Sequence, residues 1–161
     1  MTELELSEKV VSALRDKSLT VFTAESCTGG LVAKMLTDVS GASSVVLGGV
    51  VSYTNEIKKE LLSVSPETLD AYTAVSDRCC CEMAEGARRI SGADIGISVT
   101  GYASGGAGVP SDMAGVVYIG ISDVYGTSVY RLQLDGTRDD IRRGAAYELL
   151  ETLLYRIEAY E

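Results

Sequence analysis

A strand, a tight turn and the start of a helix follow one another near the amino terminus, and this succession limits the fold more than any other feature of the sequence. Residues 19–24 form an apolar run, residues 25–30 read Glu-Ser-Cys-Thr-Gly-Gly, and residues 31–37 have the apolar spacing of a helix. Ser26 lies where the chain changes direction. The amides of residues 27–30 are predicted to be unpaired donors of the first helical turn, which favours negative charge there.

Similar patterns along the rest of the chain predict one α/β domain over residues 1–161. Amphipathic spacing indicates helices at residues 3–16, 56–62, 66–72, 76–90 and 138–158. Apolar runs indicate further strands at residues 44–53, 94–100, 114–122 and 128–134. Gly48-Gly49 indicates a bulge or a close backbone approach, and Tyr125-Gly126 indicates a hairpin turn. The order predicts a three-layer α/β/α sandwich with a mixed, mostly parallel five-stranded sheet that ends in an antiparallel hairpin.

Three loops are expected at the carboxyl ends of the first three, parallel strands. They comprise residues 25–30, 53–58 and 100–113. Active sites in open α/β sheets lie outside the carboxyl ends of the strands, where such loops gather. We therefore expect the functional residues of this chain to converge at that edge of the sheet.

Ser26 has two interpretations at this edge. In one it is an N-cap whose hydroxyl accepts from the amide of residue 28 or 29, a role for which Ser is well suited. In the other it is a nucleophile, and the same amides stabilise the oxyanion formed by its attack on a carbonyl. The chain contains no His, which excludes a Ser-His-Asp triad, a Cys-His dyad and His-ligated zinc within one chain. A lysine, a carboxylate or a tyrosine would have to activate Ser26.

Lys58 is the candidate base, because it follows the second strand by about one helical turn and its flexible stem could reach back toward Ser26. Burial lowers the pKa of a lysine and so could supply the neutral amine that a base requires. The alternative is a solvated helix residue like its neighbour Lys59. Tyr53 and Asn55, with the intervening Thr54, could bind a substrate or orient the lysine, or could form only a polar strand terminus.

Two arginines near the start of the last predicted helix are candidates for binding an anion. Arg138 and Arg142 are four residues apart and share a helix face, so they could clamp a phosphate or a carboxylate. The alternative is pairing of the arginines in this turn with the neighbouring acids Asp135, Asp139 and Asp140.

The cysteines and the glycine-rich loop leave further alternatives open. Cys27 is expected to have a lowered thiol pKa at a helix amino terminus and is a second candidate nucleophile. Cys79, Cys80 and Cys81 are consecutive on a helix and are interpreted as structural thiols. Residues 101–108 resemble a phosphate loop, but no Lys-Ser or Lys-Thr pair follows them, so a Walker site is not expected. This loop is either a mobile lid or a plain connection.

The net charge and the hydropathy of the chain limit the classes of partner that it can bind. A net charge of −9 argues against a nucleic acid, whose affinity requires many Lys and Arg side chains. No apolar run approaches the ~20 residues of a membrane span, and the first 17 residues lack a signal-peptide core. We therefore expect a cytoplasmic protein with no membrane partner, no metal and no cofactor, and with reduced thiols.

Six short motifs together resemble one family. They are Ala-Glu-Ser-Cys-Thr-Gly-Gly at 24–30, Gly-Ala-Ser at 41–43, Tyr-Thr-Asn-Glu-Ile-Lys at 53–58, Ala-Val-Ser at 74–76, Ser-Val-Thr-Gly at 98–101 and Asp-Gly-Thr-Arg at 135–138. In this order and spacing the chain resembles, over almost its whole length, the carboxy-terminal domain of the competence/damage-inducible protein CinA. Stand-alone members of that family include nicotinamide mononucleotide deamidases.

The resemblance implies a fold, an activity and a set of site residues. It implies a three-layer α/β/α fold and hydrolysis of the amide of nicotinamide mononucleotide to nicotinic acid mononucleotide and ammonia, in a homo-oligomer. By position, the catalytic pair is Ser26 and Lys58, with Tyr53 in a supporting catalytic role. The resemblance places supporting roles on Ser43, Thr100 and an arginine, Arg138 or Arg142, which would hold the phosphate in the same subunit or a neighbouring one. Together with residues of the three loops, the predicted substrate-binding residues are Cys27, Thr28, Gly29, Gly30, Ser43, Asn55, Thr100, Gly101, Arg138 and Arg142.

The chain also departs from the family pattern. Members usually read Gly-Ile-Ala-Gly-Pro-Gly-Gly where this chain has Gly-Tyr-Ala-Ser-Gly-Gly at residues 101–106, and Thr137 stands where Asp is usual. The missing proline leaves the loop less constrained. Two alternatives to the deamidase therefore stay open at this point: a noncatalytic nucleotide-binding or regulatory module, and an amidase that depends on Cys27.

Overall fold

Six helices and five strands alternate along residues 1–161, all of which are described by the computed structural model. A short 3₁₀ turn, Ala42–Ser44, precedes the second strand. In chain order the elements are α1 (Glu3–Asp16), β1 (Val21–Glu25), α2 (Leu31–Thr37), β2 (Val46–Val51), α3 (Asn55–Leu62), α4 (Pro66–Tyr72), α5 (Asp77–Ser91), β3 (Ile95–Gly101), β4 (Val116–Asp123), β5 (Gly126–Gln133) and α6 (Arg138–Glu158).

The five strands form one mixed sheet in the order β2-β1-β3-β4-β5. β1 pairs in parallel with β2 and with β3, and β4 pairs antiparallel with β3 and with β5. Only β4 therefore runs against the others. The carboxyl ends of β1, β2, β3 and β5 all lie at one edge of the sheet, which we call the carboxyl edge, and the predicted α/β fold class is confirmed.

Helices cover both faces of the sheet and enclose two hydrophobic cores. The larger core joins α1, α2 and α6 to one face, with Leu14, Leu36 and Leu149 among its buried residues. The smaller core joins α3, α4 and α5 to the other face, with Leu62 and Met83 at its centre. These layers form the predicted α/β/α sandwich. The central strands are buried on both faces, as expected for a parallel sheet covered by helices.

The second strand shows both features that its glycines predict. Val21 pairs with Val46 and Phe22 pairs with Gly48, so one residue of β2 is extra at this point. A side chain at Gly49 would place its Cβ 2.0 Å from Thr23 Oγ1, so no larger residue fits without a shift. The strand is shorter than residues 44–53, because its start is taken by the 3₁₀ turn and its end leads to the N-cap of α3.

A helix that spans a membrane needs about 20 mostly apolar residues. None of the six combines the length and the apolar character that crossing a bilayer demands.

Candidate active site

Ser26 is the first residue after β1 and lies in the turn that leads to α2. Its amide donates to the Val99 carbonyl of β3 at 3.0 Å, which fixes the turn to the sheet. The N-cap position of α2 is occupied by Gly30 in a left-handed conformation with φ of 105°. The N-cap interpretation of Ser26 is therefore wrong. The Ser26 side chain is buried and faces Lys58 instead.

Lys58 is 1% exposed, although it lies in the first turns of α3 beside solvent-exposed residues. Thr54 caps this helix through a hydrogen bond from the Ile57 amide, and the resulting helix direction turns Lys58 inward. Its Nζ lies 2.8 Å from Ser26 Oγ and donates to the Ser52 carbonyl at 2.6 Å. Burial lowers the pKa of Lys58 below the ordinary value of 10.5.

The two neighbouring lysines of α3 are in different environments. Lys59 is partly exposed and pairs with Glu56 at 2.9 Å, whereas Lys58 has no carboxylate within ion-pair distance. The interpretation of Lys58 as a solvated helix residue is therefore wrong. A buried amine without a counter-charge favours its neutral form, which is the form that can accept a proton from a serine.

Glu25 is a residue that the sequence reasoning did not select. Its carboxylate is 1% exposed. Oε1 accepts from the Thr28 hydroxyl at 2.6 Å and from the amides of Gly30 and Val32, and Oε2 accepts from the Ala33 amide at 3.0 Å. The signal was present in the sequence. An acid at the end of an apolar strand, directly before a helix start, can accept hydrogen bonds from the unpaired amides of that helix.

These contacts correct the expectation that all amides of residues 27–30 are free. The Gly30 amide is bound by Glu25, and the Gly29 amide donates to the Ser26 carbonyl at 3.1 Å. The amides of Cys27 and Thr28 have no acceptor within the chain. Of the predicted oxyanion donors, only these two remain available beside Ser26.

A cavity of ≈ 330 Å³ opens above the Ser26–Lys58 pair. Its walls come from the three loops expected at the carboxyl edge, from the segment between α4 and α5, and from α6. Six of the predicted site residues besides the pair line it: Cys27, Tyr53, Asn55, Thr100, Gly101 and Arg138. The lining also includes residues that the sequence reasoning did not single out, among them Ala74, Val75, Tyr102 and Ser104. The predicted convergence of loops is therefore present in one chain.

The two candidate arginines have different positions. Arg138 lines the cavity and donates to Ser104 Oγ at 2.9 Å and to the Tyr53 hydroxyl at 3.2 Å, so it joins α6, the glycine-rich loop and the end of β2. Arg142 lies outside the lining and donates to the Thr28 carbonyl at 3.2 Å. Neither arginine pairs with an acid, whereas Arg143 pairs with Asp139 and with Glu3.

The remaining lining residues are held in distinct ways. Tyr53 is 60% exposed and accepts from Arg138. Thr100 is buried, and its hydroxyl donates to the Ala74 carbonyl at 2.8 Å, which joins β3 to the segment before α5. Thr28 is also buried. Like Gly29 and Gly30, it lies just before α2 and is not among the residues that line the cavity.

Ser43 is not brought to this cavity. It belongs to the 3₁₀ turn before β2 and therefore lies at the opposite edge of the sheet, beside Thr37 and Val39. A parallel strand separates its two ends by its full length, so a residue before β2 and one after it cannot share a site in the same chain. Within one subunit, the structure therefore does not bring Ser43 to the other predicted site residues.

Three of the four cysteines are buried, Cys81 is partly buried, and no cysteine has a lowered pKa. Burial raises the pKa of the Cys27 thiol to about 12, so the expectation of a lowered value is wrong. Desolvation outweighs the helix terminus here, and the amides of Gly30, Val32 and Ala33 at that terminus already donate to Glu25. Cys79 and Cys80 are also buried, in agreement with their interpretation as structural thiols.

Comparison with known proteins identifies the family. The family model of the CinA C-terminal domain matches residues 3–157. A putative competence-damage inducible protein of Acetivibrio thermocellus is 49% identical over 138 residues, which is 86% of this chain and 33% of that protein. A CinA-like protein of Kosmotoga olearia is 45% identical over 92% of this chain and 36% of its own length. The chain thus spans about a third of the length of these curated relatives.

Solved structures agree with this result. The competence damage-inducible protein A of Klebsiella pneumoniae has a TM-score of 0.96 and 32% identity, with 100% of both chains covered. A competence/damage inducible protein of Agrobacterium tumefaciens has a TM-score of 0.91 and 35% identity, with 98% of this chain and 97% of that chain covered. With its motifs, its fold and these matches, this chain belongs to the CinA C-terminal domain family.

Proposed function

We propose that this chain is an amidohydrolase that converts nicotinamide mononucleotide to nicotinic acid mononucleotide and ammonia through Ser26 and Lys58. The observation that carries the proposal is the 2.8 Å distance between Ser26 Oγ and the Nζ of a lysine that is 1% exposed and has no carboxylate partner. The resemblance to the deamidase members of the family supplies the substrate.

In the proposed reaction Lys58 acts as general base and then as general acid. The neutral amine directs one N–H to the Ser52 carbonyl, and its lone pair takes the proton of the Ser26 hydroxyl. The alkoxide attacks the carboxamide carbon, and the amides of Cys27 and Thr28 are the donors nearest to the developing oxyanion. The lysine ammonium returns its proton to the leaving amine, and ammonia departs.

The second half of the reaction uses the same groups. Lys58, again neutral, takes a proton from water, and the resulting hydroxide attacks the acyl ester on Ser26. Collapse of the intermediate releases the pyridine carboxylic acid and returns the proton to Ser26 Oγ. In sum, one amide and one water give one acid and one ammonia.

The cavity has the polarity that a mononucleotide requires. Its floor carries the Ser26–Lys58 pair, its walls include Ala74, Val75 and Tyr102, and its mouth carries Arg138. Arg138 is bonded only to the neutral hydroxyls of Ser104 and Tyr53, so its charge is free to bind a phosphate. We therefore assign the phosphate to Arg138 rather than Arg142, whose guanidinium is bonded to the Thr28 carbonyl.

The proposal is tested by incubating the purified protein with nicotinamide mononucleotide and following ammonia and the acid product. Ser26→Ala and Lys58→Ala should abolish turnover, whereas Cys27→Ala should retain it. Loss chiefly in Cys27→Ala would support the cysteine amidase instead, which the raised pKa of that thiol disfavours. Tight binding without turnover in the unaltered protein would support the noncatalytic module.

Four wider expectations stay predictions. They are a single domain over residues 1–161, a homo-oligomer, a cytoplasmic location and the absence of a cofactor. The position of Ser43 bears on the second, because this residue could join a pocket only if a neighbouring subunit supplied it. Sedimentation measurements and the activity of Ser43→Ala test that point together.

A further inference from the structure

Glu25 is a buried carboxylate whose partners are all uncharged. Burying an ionised carboxylate is costly unless hydrogen bonds replace its water. Here three backbone amides and one hydroxyl do so, at distances of 2.6 to 3.2 Å. The side chain thereby ties the end of β1 to the first turn of α2, with the turn that carries Ser26 held between them.

The main chain of Glu25 makes a second connection. Its carbonyl accepts from the Ser52 amide at 2.7 Å and from the Ser52 hydroxyl at 3.1 Å. The Ser52 carbonyl in turn accepts from Lys58 Nζ at 2.6 Å. Glu25 is thus the chain neighbour of Ser26, and hydrogen bonds through Ser52 link it to Lys58.

We propose that Glu25 is the positioning residue of the Ser26–Lys58 pair: its side chain fixes the turn that carries the nucleophile, and its carbonyl fixes the strand end that holds the base. The inference rests on the proposed function, since it assumes that the pair performs chemistry. Glu25 is not among the residues that line the cavity, so its side chain does not face the space where a substrate would bind. Its contribution is to the geometry of two other side chains.

The proposal predicts a specific defect in Glu25→Gln. The amide oxygen keeps the three donors now bonded to Oε1, but the amide nitrogen faces the Ala33 N–H, and two donors cannot bond each other. The turn must shift to relieve this contact, and Ser26 Oγ moves relative to Lys58 Nζ. A displacement of about 1 Å in an active site costs about 10²-fold in rate.

A matched control exists at the other edge of the sheet. Asp123 is 2% exposed and also accepts four hydrogen bonds: two from Arg156, one from the Tyr160 hydroxyl and one from the Tyr125 amide. Asp123→Asn makes the same chemical change as Glu25→Gln, the replacement of one oxygen of a buried carboxylate by an amide nitrogen. It lies at the end of β4, away from the cavity.

The experiment measures the reactivity of Ser26 without the natural substrate. Phenylmethylsulfonyl fluoride sulfonylates an activated serine: Oγ bonds to sulfur, fluoride leaves, and the hydroxyl proton passes to the lysine. The rate is followed by intact-mass spectrometry over a range of pH. We expect a rate about 10²-fold lower in Glu25→Gln and an unchanged rate in Asp123→Asn. Equal rates and pH profiles in the unaltered protein and in Glu25→Gln would overturn the inference.

A second measurement separates this inference from the proposed function. The ¹³Cε resonance of Lys58, titrated by NMR, should show a lowered pKa in the unaltered protein and a value shifted toward 10.5 in Glu25→Gln, since a displaced amine regains water. A Lys58 titration that does not differ between these two proteins contradicts the inference, even if Ser26 proves unreactive and the proposed function fails. A reactive Ser26 in both proteins, with unchanged Lys58, leaves the proposed function standing and removes only the role of Glu25.

Thr28→Val provides a milder change should Glu25→Gln not fold. It is nearly isosteric and removes only the hydroxyl that donates to Glu25 Oε1 at 2.6 Å. A loss of sulfonylation rate of about 10-fold and the same direction of the Lys58 shift are expected, since only one of the four hydrogen bonds to the Glu25 side chain is removed. A rate equal to that of the unaltered protein would contradict the inference here as well.

Discussion

Two buried carboxylates at opposite edges of the sheet are stabilised in different ways. Asp123, at the end of β4, pairs with Arg156 at 2.7 Å, while Glu25, at the end of β1, is bonded only to amides and a hydroxyl. Burial alone would raise the pKa of Asp123, but the hydrogen bonds from Arg156 and Tyr160 hold it below its ordinary value. The Asp123 cluster joins the last strands to α6 and is complete within itself.

The difference shows how the carboxyl edge keeps a buried amine without a counter-charge. An ion pair between Glu25 and Lys58 would hold the lysine in its charged form, as the pairing with Arg156 keeps Asp123 ionised. Because Glu25 is bonded by the start of α2 instead, Lys58 is left with two neutral acceptors, Ser26 Oγ and the Ser52 carbonyl. One edge of the sheet thus pairs its buried carboxylate with a cation, and the other leaves a buried amine with no carboxylate partner.

The largest expected difference between the two edges is in turnover. Ser26→Ala should lower kcat by about 10⁴-fold or more, because the nucleophile is removed, and should change the free energy of unfolding little. Asp123→Asn should do the opposite, lowering stability and preserving kcat. Steady-state kinetics and urea unfolding of both variants measure this, and a comparable loss of kcat in Asp123→Asn would break the comparison.

Lys58→Met should separate activity from stability at a single residue. We expect kcat to fall by about 10³-fold through loss of the general base. The free energy of unfolding at neutral pH should rise, because a buried amine is replaced by a side chain of similar volume that needs no hydration. Urea titrations of the two proteins give the sign of the change in the free energy of unfolding. A lower value in Lys58→Met would show that burial of the amine does not destabilise the fold.

The cations of the two edges should also have separate effects. Arg156→Gln leaves Asp123 buried without its counter-charge and should lower the free energy of unfolding by about 3 kcal/mol. Arg138→Gln removes a charge that lines the cavity and is bonded only to two neutral hydroxyls, and it should raise KM for a phosphorylated substrate by about 10-fold, with stability nearly unchanged. A KM defect that is absent when the substrate lacks its phosphate would locate the contact.

The stability of the fold should rise with pH at both edges of the sheet, but in two separate pH windows. Below 10.5 and down to the lowered pKa of Lys58, the unfolded chain binds more protons at this lysine than the folded chain, so stability rises with pH in that window. The contribution of Asp123 is present above 3.8 and is lost as pH falls through its lowered pKa. Unfolding free energies across pH should lose the first slope in Lys58→Met and the second in Asp123→Asn.

Activity should follow the same lysine. The value of kcat/KM should rise with pH through the lowered pKa of Lys58, because only the neutral amine accepts the proton of Ser26. Glu25→Gln should move this ascending limb toward higher pH, whereas Asp123→Asn should leave it in place.

Cys27→Ala should have the smallest effect. The thiol is buried, and burial raises its pKa to about 12, so it is not a nucleophile near neutral pH. We expect a loss of about 1 kcal/mol in stability from packing and a kcat of the same order of magnitude. A large loss of kcat at unchanged stability would support an amidase that depends on Cys27.

The sequence by itself determined the order of strands and helices along the chain and the edge at which the loops converge, and it offered Ser26 and Lys58 as candidates beside other interpretations. Hydrophobic periodicity and turn residues are local signals, and the right-handed connection of parallel strands turns them into a common edge. Only the tertiary structure decided that Glu25 occupies the amides of α2, that Arg138 rather than Arg142 lines the cavity, and that Ser43 lies at the other edge. These outcomes depend on competition between hydrogen-bond partners and on desolvation, as with the raised pKa of Cys27, and both arise only when distant segments have packed together.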